Sequence, residues 1–189
     1  TAGANGGVLF FGGSLTGFTH DNISFINTSA GGSGGAIYID GTVNDLELDD
    51  KVIFINNTAN RDGGTLYFNS AVTNLKIHDV AFDTSAGGSG GAIYIGGNVN
   101  GIDISNVAFT DITAGANGGV LYFGGSLTKL TYDNISFINT SATNGGAIYF
   151  NSVTGINITN ITFKNNTATV NGGTLYFAST VTDVEIYDV

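Results

Sequence analysis

Cysteine, proline, methionine and tryptophan are all missing from these 189 residues. Without cysteine there is no disulfide framework, no thiolate metal site and no cysteine nucleophile. Basic residues are scarce: five Lys and Arg stand against fifteen Asp and Glu, for a net charge of −10. So acidic a surface repels nucleic acid and anionic lipid, which excludes both as partners. No apolar run approaches the roughly 20 residues that span a bilayer, so no membrane insertion is expected of this segment. A helical period is missing too, since no window holds apolar residues at i, i+3 and i+4 over several turns.

What is present is repetition. Residues 1–30 align without a gap to 113–142 and differ only at Phe10/Tyr122, Gly17/Lys129, Phe18/Leu130 and His20/Tyr132. "SAGGSGGAIYI" stands at 29–39 and again at 85–95. Gly-Gly pairs set the ruler, their second members being Gly7, Gly35, Gly64, Gly91, Gly119, Gly146 and Gly173. Successive spacings are 27 to 29 residues, and seven units begin. Glycine, at 30 residues, is about twice as frequent as usual. One continuous array over 1–189 is expected rather than two domains. The chain opens without Met or a signal segment, and starts and stops inside repeats, so it reads as a piece of a longer protein.

One unit, Gly90 to Ile112, holds three short alternating runs, "AIYI", "VNGIDI" and "NVAF", bounded by Gly, Asn, Asp, Ser and Thr. That is strand chemistry with turns between. A single unit has no core; stacked units pair like strand with like strand and bury continuous rows. The expected fold is all-β: a right-handed parallel β-helix of about seven coils, with three strands per coil. Inward rows follow from the alternation. The first strand contributes pairs such as Ile37/Ile39 and Leu66/Phe68, the second Leu75/Ile77 and Leu130/Tyr132, the third Val52/Phe54 and Val107/Phe109. The residue after each Gly-Gly is read as a small outward position. Only Thr65 and Thr174 are threonines there, too few for an ice-binding face.

Two motifs recur in register: Gly-Gly, a small or apolar residue, then Ile or Leu; and Phe-x-x-Asn, as in "FINN" at 54–57 and "FKNN" at 163–166. "FINT", "FDTS" and "FTDI" stand in for the second motif elsewhere. Together the motifs resemble the repeats of chlamydial polymorphic outer membrane proteins. They are similar also to adhesin-like surface proteins of methanogenic archaea. That resemblance implies a β-helical passenger or stalk on a cell surface, extracellular, engaged in adhesion or envelope architecture.

Function on such a rod sits outside. Phe10, Tyr38, Tyr67, Tyr94, Tyr122, Tyr149 and Tyr176 share one position and alternate with core pairs. Stacked coils set them about 4.8 Å apart. Either the rings stabilise the sheet by stacking on each other, or they form a flat contact strip for a sugar polymer or a sister chain. A second row, Asn22, Asp79, Asn106, Asn134, Asn160 and Asp188, reads as a turn ladder. Asp45, Asp49 and Asp50 are the place for weak calcium binding, although no calcium-loop spacing is present. Eight Asn-x-Ser/Thr sequons begin at Asn22, Asn27, Asn56, Asn134, Asn139, Asn157, Asn160 and Asn165. Asn27, Asn56, Asn139 and Asn165 follow the third strand and are the better glycosylation candidates.

The alternative class is a polysaccharide-binding or polysaccharide-degrading β-helix. Lyases on acidic sugars need convergent Lys or Arg, yet Lys51, Arg61, Lys76, Lys129 and Lys164 fall at different places in the repeat. Hydrolases need convergent carboxylates, and Asp49 and Asp50 are adjacent in one turn. His20 and His78 fall two coils apart. No catalytic residue, cofactor or metal is therefore assigned. The sequence reading is a non-enzymatic structural or adhesive segment whose partners are sister chains, joined end to end or laterally, or cell-surface glycans.

Overall fold

The computed structural model describes residues 1–20, 22–49 and 52–187, and every strand in it pairs in parallel. The chain is a β-solenoid without a helix among the described residues. The first ladder runs in unbroken register from Leu9 through Ile37, Leu66, Ile93, Leu121 and Ile148 to Leu175. The second pairs Leu46 with Leu75, Ile102 and Leu130. The third pairs Phe25 with Phe54, Phe82, Phe109, Phe137 and Phe163. Six turns complete all three faces, and the seventh unit adds Leu175–Phe177 and Val181–Ile186.

The expected inward rows are the core. Phe54, Phe109, Phe137, Ile77 and Leu48 are fully buried. The third-face phenylalanines stack with centroids 5.1–5.4 Å apart, and Phe123, Phe150 and Phe177 stack on the first face at 5.4 and 5.0 Å. The second face also buries a row that alternation alone did not single out: Val43, Val72, Val99, Leu127 and Val153. It precedes a bend, where Asp45, Asn74 and Asp183 take φ of 51–56°. Past the third face the chain turns a corner into a short further ladder, in which Ala30, Ala59, Ala86 and Ala114 are buried.

One expectation is corrected. In the five inner coils the residue after Gly-Gly points inward, not outward: Ala36, Thr65, Ala92, Val120 and Ala147 are all fully buried, while Val8 in the first coil stays exposed. The cause is a bulge repeated in every coil. The N–H groups of Ala36 and Ile37 both donate to the Thr65 carbonyl, and those of Thr65 and Leu66 both donate to the Ala92 carbonyl. Two neighbours therefore share one partner, and alternation slips by one residue there.

Candidate functional site

Each Gly-Gly turn delivers the chain into the first ladder, and the two glycines do different work. The first takes the left-handed conformation, with φ of 60–68° at Gly6, Gly34, Gly63, Gly90, Gly118, Gly145 and Gly172. The second lies under the next coil. A Cβ on Gly35 would land on the carbonyl oxygen of Gly64, and one on Gly64 on that of Gly91. The pair thus lets the coils close to strand-pairing distance and sets the ladder that follows.

Phe10 and the six tyrosines form that ladder. Successive centroids lie 5.1, 4.7, 4.6, 4.7, 4.9 and 5.3 Å apart from Phe10 to Tyr176. Interplanar angles are 5–10° up to Tyr122, then widen to 19° and 35°. Each ring covers its neighbour's face. Phe10 keeps 57% of its surface, while Tyr38 keeps 8% and the other tyrosines are half-buried. What the strip offers outward is chiefly ring edges and hydroxyls, a polar-tipped edge rather than a run of open faces.

Polar side chains line one margin. The Tyr38 hydroxyl lies 3.4 Å from Asp40 Oδ1 and the Tyr67 hydroxyl 3.3 Å from Asn69 Oδ1; Asn69 in turn donates to Asp40 at 2.9 Å. Burial against the neighbouring rings pushes the Tyr67 hydroxyl up to about 12, with Tyr38, Asp62 and Asp40 adding to the rise. Burial also raises Tyr94, followed by its neighbours Tyr67 and Tyr122, and raises Tyr38, Tyr122 and Tyr149. These phenols stay protonated across the physiological range.

The asparagine rows are turn ladders. Asn22, Asp79, Asn106, Asn134 and Asn160 all have left-handed φ of 52–59°, and Asn134 donates to Asn106 at 3.0 Å; Asp188 lies outside the described residues. Asn27, Asn56, Asp111, Asn139 and Asn165 form a second left-handed row. Within it Asn56 donates to Asn27 at 3.1 Å, Asn139 to Asp111 at 2.9 Å and Asn165 to Asn139 at 3.2 Å. The four sequon residues of this row are exposed, as expected of a turn. Asp45 accepts from Asn44 at 3.1 Å and from Asn74 at 2.9 Å, while Asp50 lies outside the described residues. Among the described residues no three acidic or histidine side chains converge on a metal position. His78 Nε2 lies 3.6 Å from Asp103 Oδ2, an ion pair whenever the imidazole is protonated.

The Phe-x-x-Asn motif marks the corner after the third face. Asn166 Oδ1 accepts from the N–H and the hydroxyl of Thr140 at 3.1 and 2.9 Å, and its amide donates to the Phe137 carbonyl at 3.0 Å. Thr28, Asn57, Thr84, Ile112 and Thr140 fill the same buried corner in other coils. The variant motifs therefore share one place and differ in how that place is filled, Thr84 reaching it one residue early through a register shift after Phe82.

Residues 160–178 match the Chlamydia polymorphic membrane protein repeat. That stretch holds both motifs, Phe163–Asn166 and Gly172–Gly173, and is part of one coil of the solenoid. No curated protein and no solved structure matches the chain. In its repeat and its solenoid fold, the chain is similar to chlamydial polymorphic membrane proteins, which supports a surface-exposed, passenger-like segment.

Proposed function

We propose that this chain is an adhesive or structural stretch of an extracellular surface protein, a rod that holds near-equivalent faces at a fixed rise. The observation that carries the reading is the first ladder, in register from Leu9 to Leu175 without a break. Such a ladder extends a contact surface by adding coils, which suits a stalk or an adhesin passenger better than a single catalytic centre. Its partners are sister chains or cell-surface glycans, met along the edge of the tyrosine strip from Tyr38 to Tyr176. Exposed Asn27, Asn56, Asn139 and Asn165 are the sites for N-glycans if the host makes them. An asparagine amide carries two hydrogens, so a glycan on Asn56 leaves one for its bond to Asn27.

Antibodies raised against the segment test location on cells that express the parent protein. Labelling of intact cells is the expected result; labelling only after lysis overturns the proposal. For adhesion, replacing Tyr94, Tyr122 and Tyr149 by Ser should weaken binding to cells or glycans more than it weakens folding. Parallel losses reduce the ladder to a structural device.

A further inference from the structure

The second face bends at one position in every unit, and in the middle of the rod that row is interrupted. Gly17, Asp45, Asn74, Gly155 and Asp183 sit there with φ of 51–64°. Gly101 instead takes φ 92°, and Lys129, its register partner one coil on, is not left-handed. At the interruption lies a notch of about 190 Å³ over the Gly101 backbone, lined by Asp45, Asn74, Lys76, Asp103, Lys129 and Thr131. A side chain at 101 would crowd its lining, since a Cβ there would stand 3.1 Å from Asn74 Oδ1. Two of the chain's five basic residues meet at this spot.

Charge decides what the notch suits. Asp45 and Asp103 balance Lys76 and Lys129 in the lining, on a chain whose net charge is −10. Asn74 orients Asp45 at 2.9 Å, Glu47 stands 3.7 Å from Lys76, and His78 stands 3.6 Å from Asp103. Among the described residues the Lys129 ammonium makes no hydrogen bond or ion pair. A phosphate entering here meets two carboxylates, and a simple cation meets two ammonium groups. A sugar hydroxyl meets neither conflict, because it donates to a carboxylate and accepts from an ammonium at once. We infer that this notch binds one neutral pyranose ring of a glycan. Asp45 and Asp103 accept from its hydroxyls, and Lys76 and Lys129 donate to them. The site shares no residue with the tyrosine ladder, and it rests on the surface proposal only for the source of the sugar.

The purified chain is titrated with the methyl glycosides of glucose, galactose and mannose, and with glucuronate and inorganic phosphate as charged comparators. Saturation-transfer NMR reads the binding. The expected result is saturable millimolar binding of at least one neutral glycoside. It should weaken by about tenfold or more in Gly101→Asn, which continues the row into the notch, and in Lys129→Gly, which restores the residue found in the first copy. Lys129 is exposed, so that variant keeps its fold even if Gly101→Asn does not. Three results overturn the inference: no saturation by any neutral glycoside, unchanged affinity in the folded variants, or tighter binding of glucuronate or phosphate. Cell labelling is independent of all three, so a failed titration leaves the surface reading intact.

Discussion

Asn57, fully buried, accepts two hydrogen bonds from Thr28 in the preceding coil: one from its N–H at 3.2 Å and one from its hydroxyl at 2.7 Å. The contact staples adjacent coils at the corner where the third face ends. Asn57→Ala should destabilise by about 1–3 kcal/mol for each buried donor left unpaired. Thr28→Val removes one of those donors, so the double variant should recover part of the loss. Urea unfolding of the wild type, both single variants and the double variant measures the coupling. Simple additivity would mean that the bonds carry no net stability.

The strands and their register were legible before the structure because they rest on alternation, and alternation is periodic in the sequence. Ile37, Leu66 and Phe109 fell on the predicted rows for that reason. Corners obey another rule. Thr28, Asn57 and Ile112 occupy one buried place with different chemistry, so no single letter marks it. Thr65 was misread because the bulge after Gly64 turns two neighbours inward, a slip set by hydrogen bonds to the next coil. The tyrosine strip was found in sequence, but its edge-out presentation needed the ring planes. The notch at Gly101 was hidden because a glycine in a glycine-rich repeat looks ordinary, although the Gly17/Lys129 difference was its one sequence signal.

Gly64→Ala should be among the most damaging single changes in the chain. Its new Cβ would land on the carbonyl of Gly91, backbone that moves only if two coils separate. Gly13→Ala is the matched control, since no atom lies within 4 Å of a Cβ there. The control should shift stability by no more than about 0.5 kcal/mol. Thermal unfolding followed by circular dichroism distinguishes the two. Equal midpoints would show that the coils do not close as tightly as the structure has them.

Buried hydroxyls give a prediction of opposite sign. Among the described residues Thr65 Oγ1 and Tyr132 Oη find no hydrogen-bond partner, though both are buried. Thr65→Val keeps the shape and removes the stranded hydroxyl, as Val120 already does at the same position. Tyr132→Phe does likewise. Each should hold or raise stability, by up to about 1–3 kcal/mol, the penalty of an unsatisfied buried polar group. Phe109→Ala should instead cost about 3–5 kcal/mol by opening a cavity in the phenylalanine stack. Exposed Ser24→Ala on the same face should stay within about 0.5 kcal/mol. Denaturant midpoints for the four variants check all of this, and a destabilised Thr65→Val would reveal a partner for that hydroxyl.

Alkali should unfold the rod through its aromatic ladder. Tyr67 is raised from 10.0 to about 12, first by burial against its neighbours, and Tyr94 is raised as well. The folded ladder thus holds its phenolic protons more tightly than the unfolded chain does. The sign follows from linkage: this contribution is complete below pH 10.0 and is lost as the pH climbs towards 12, because the unfolded state ionises first. Phenolate absorbance and the strand signal should therefore change together in that window, not in sequence. In a Tyr67→Phe, Tyr94→Phe variant two of the driving ionisations are gone, and the alkaline midpoint should move up. Phenolate formation centred near pH 10.0 with the strands intact would mean that the rings are solvated and the stack is looser than its 4.6–4.9 Å spacing implies.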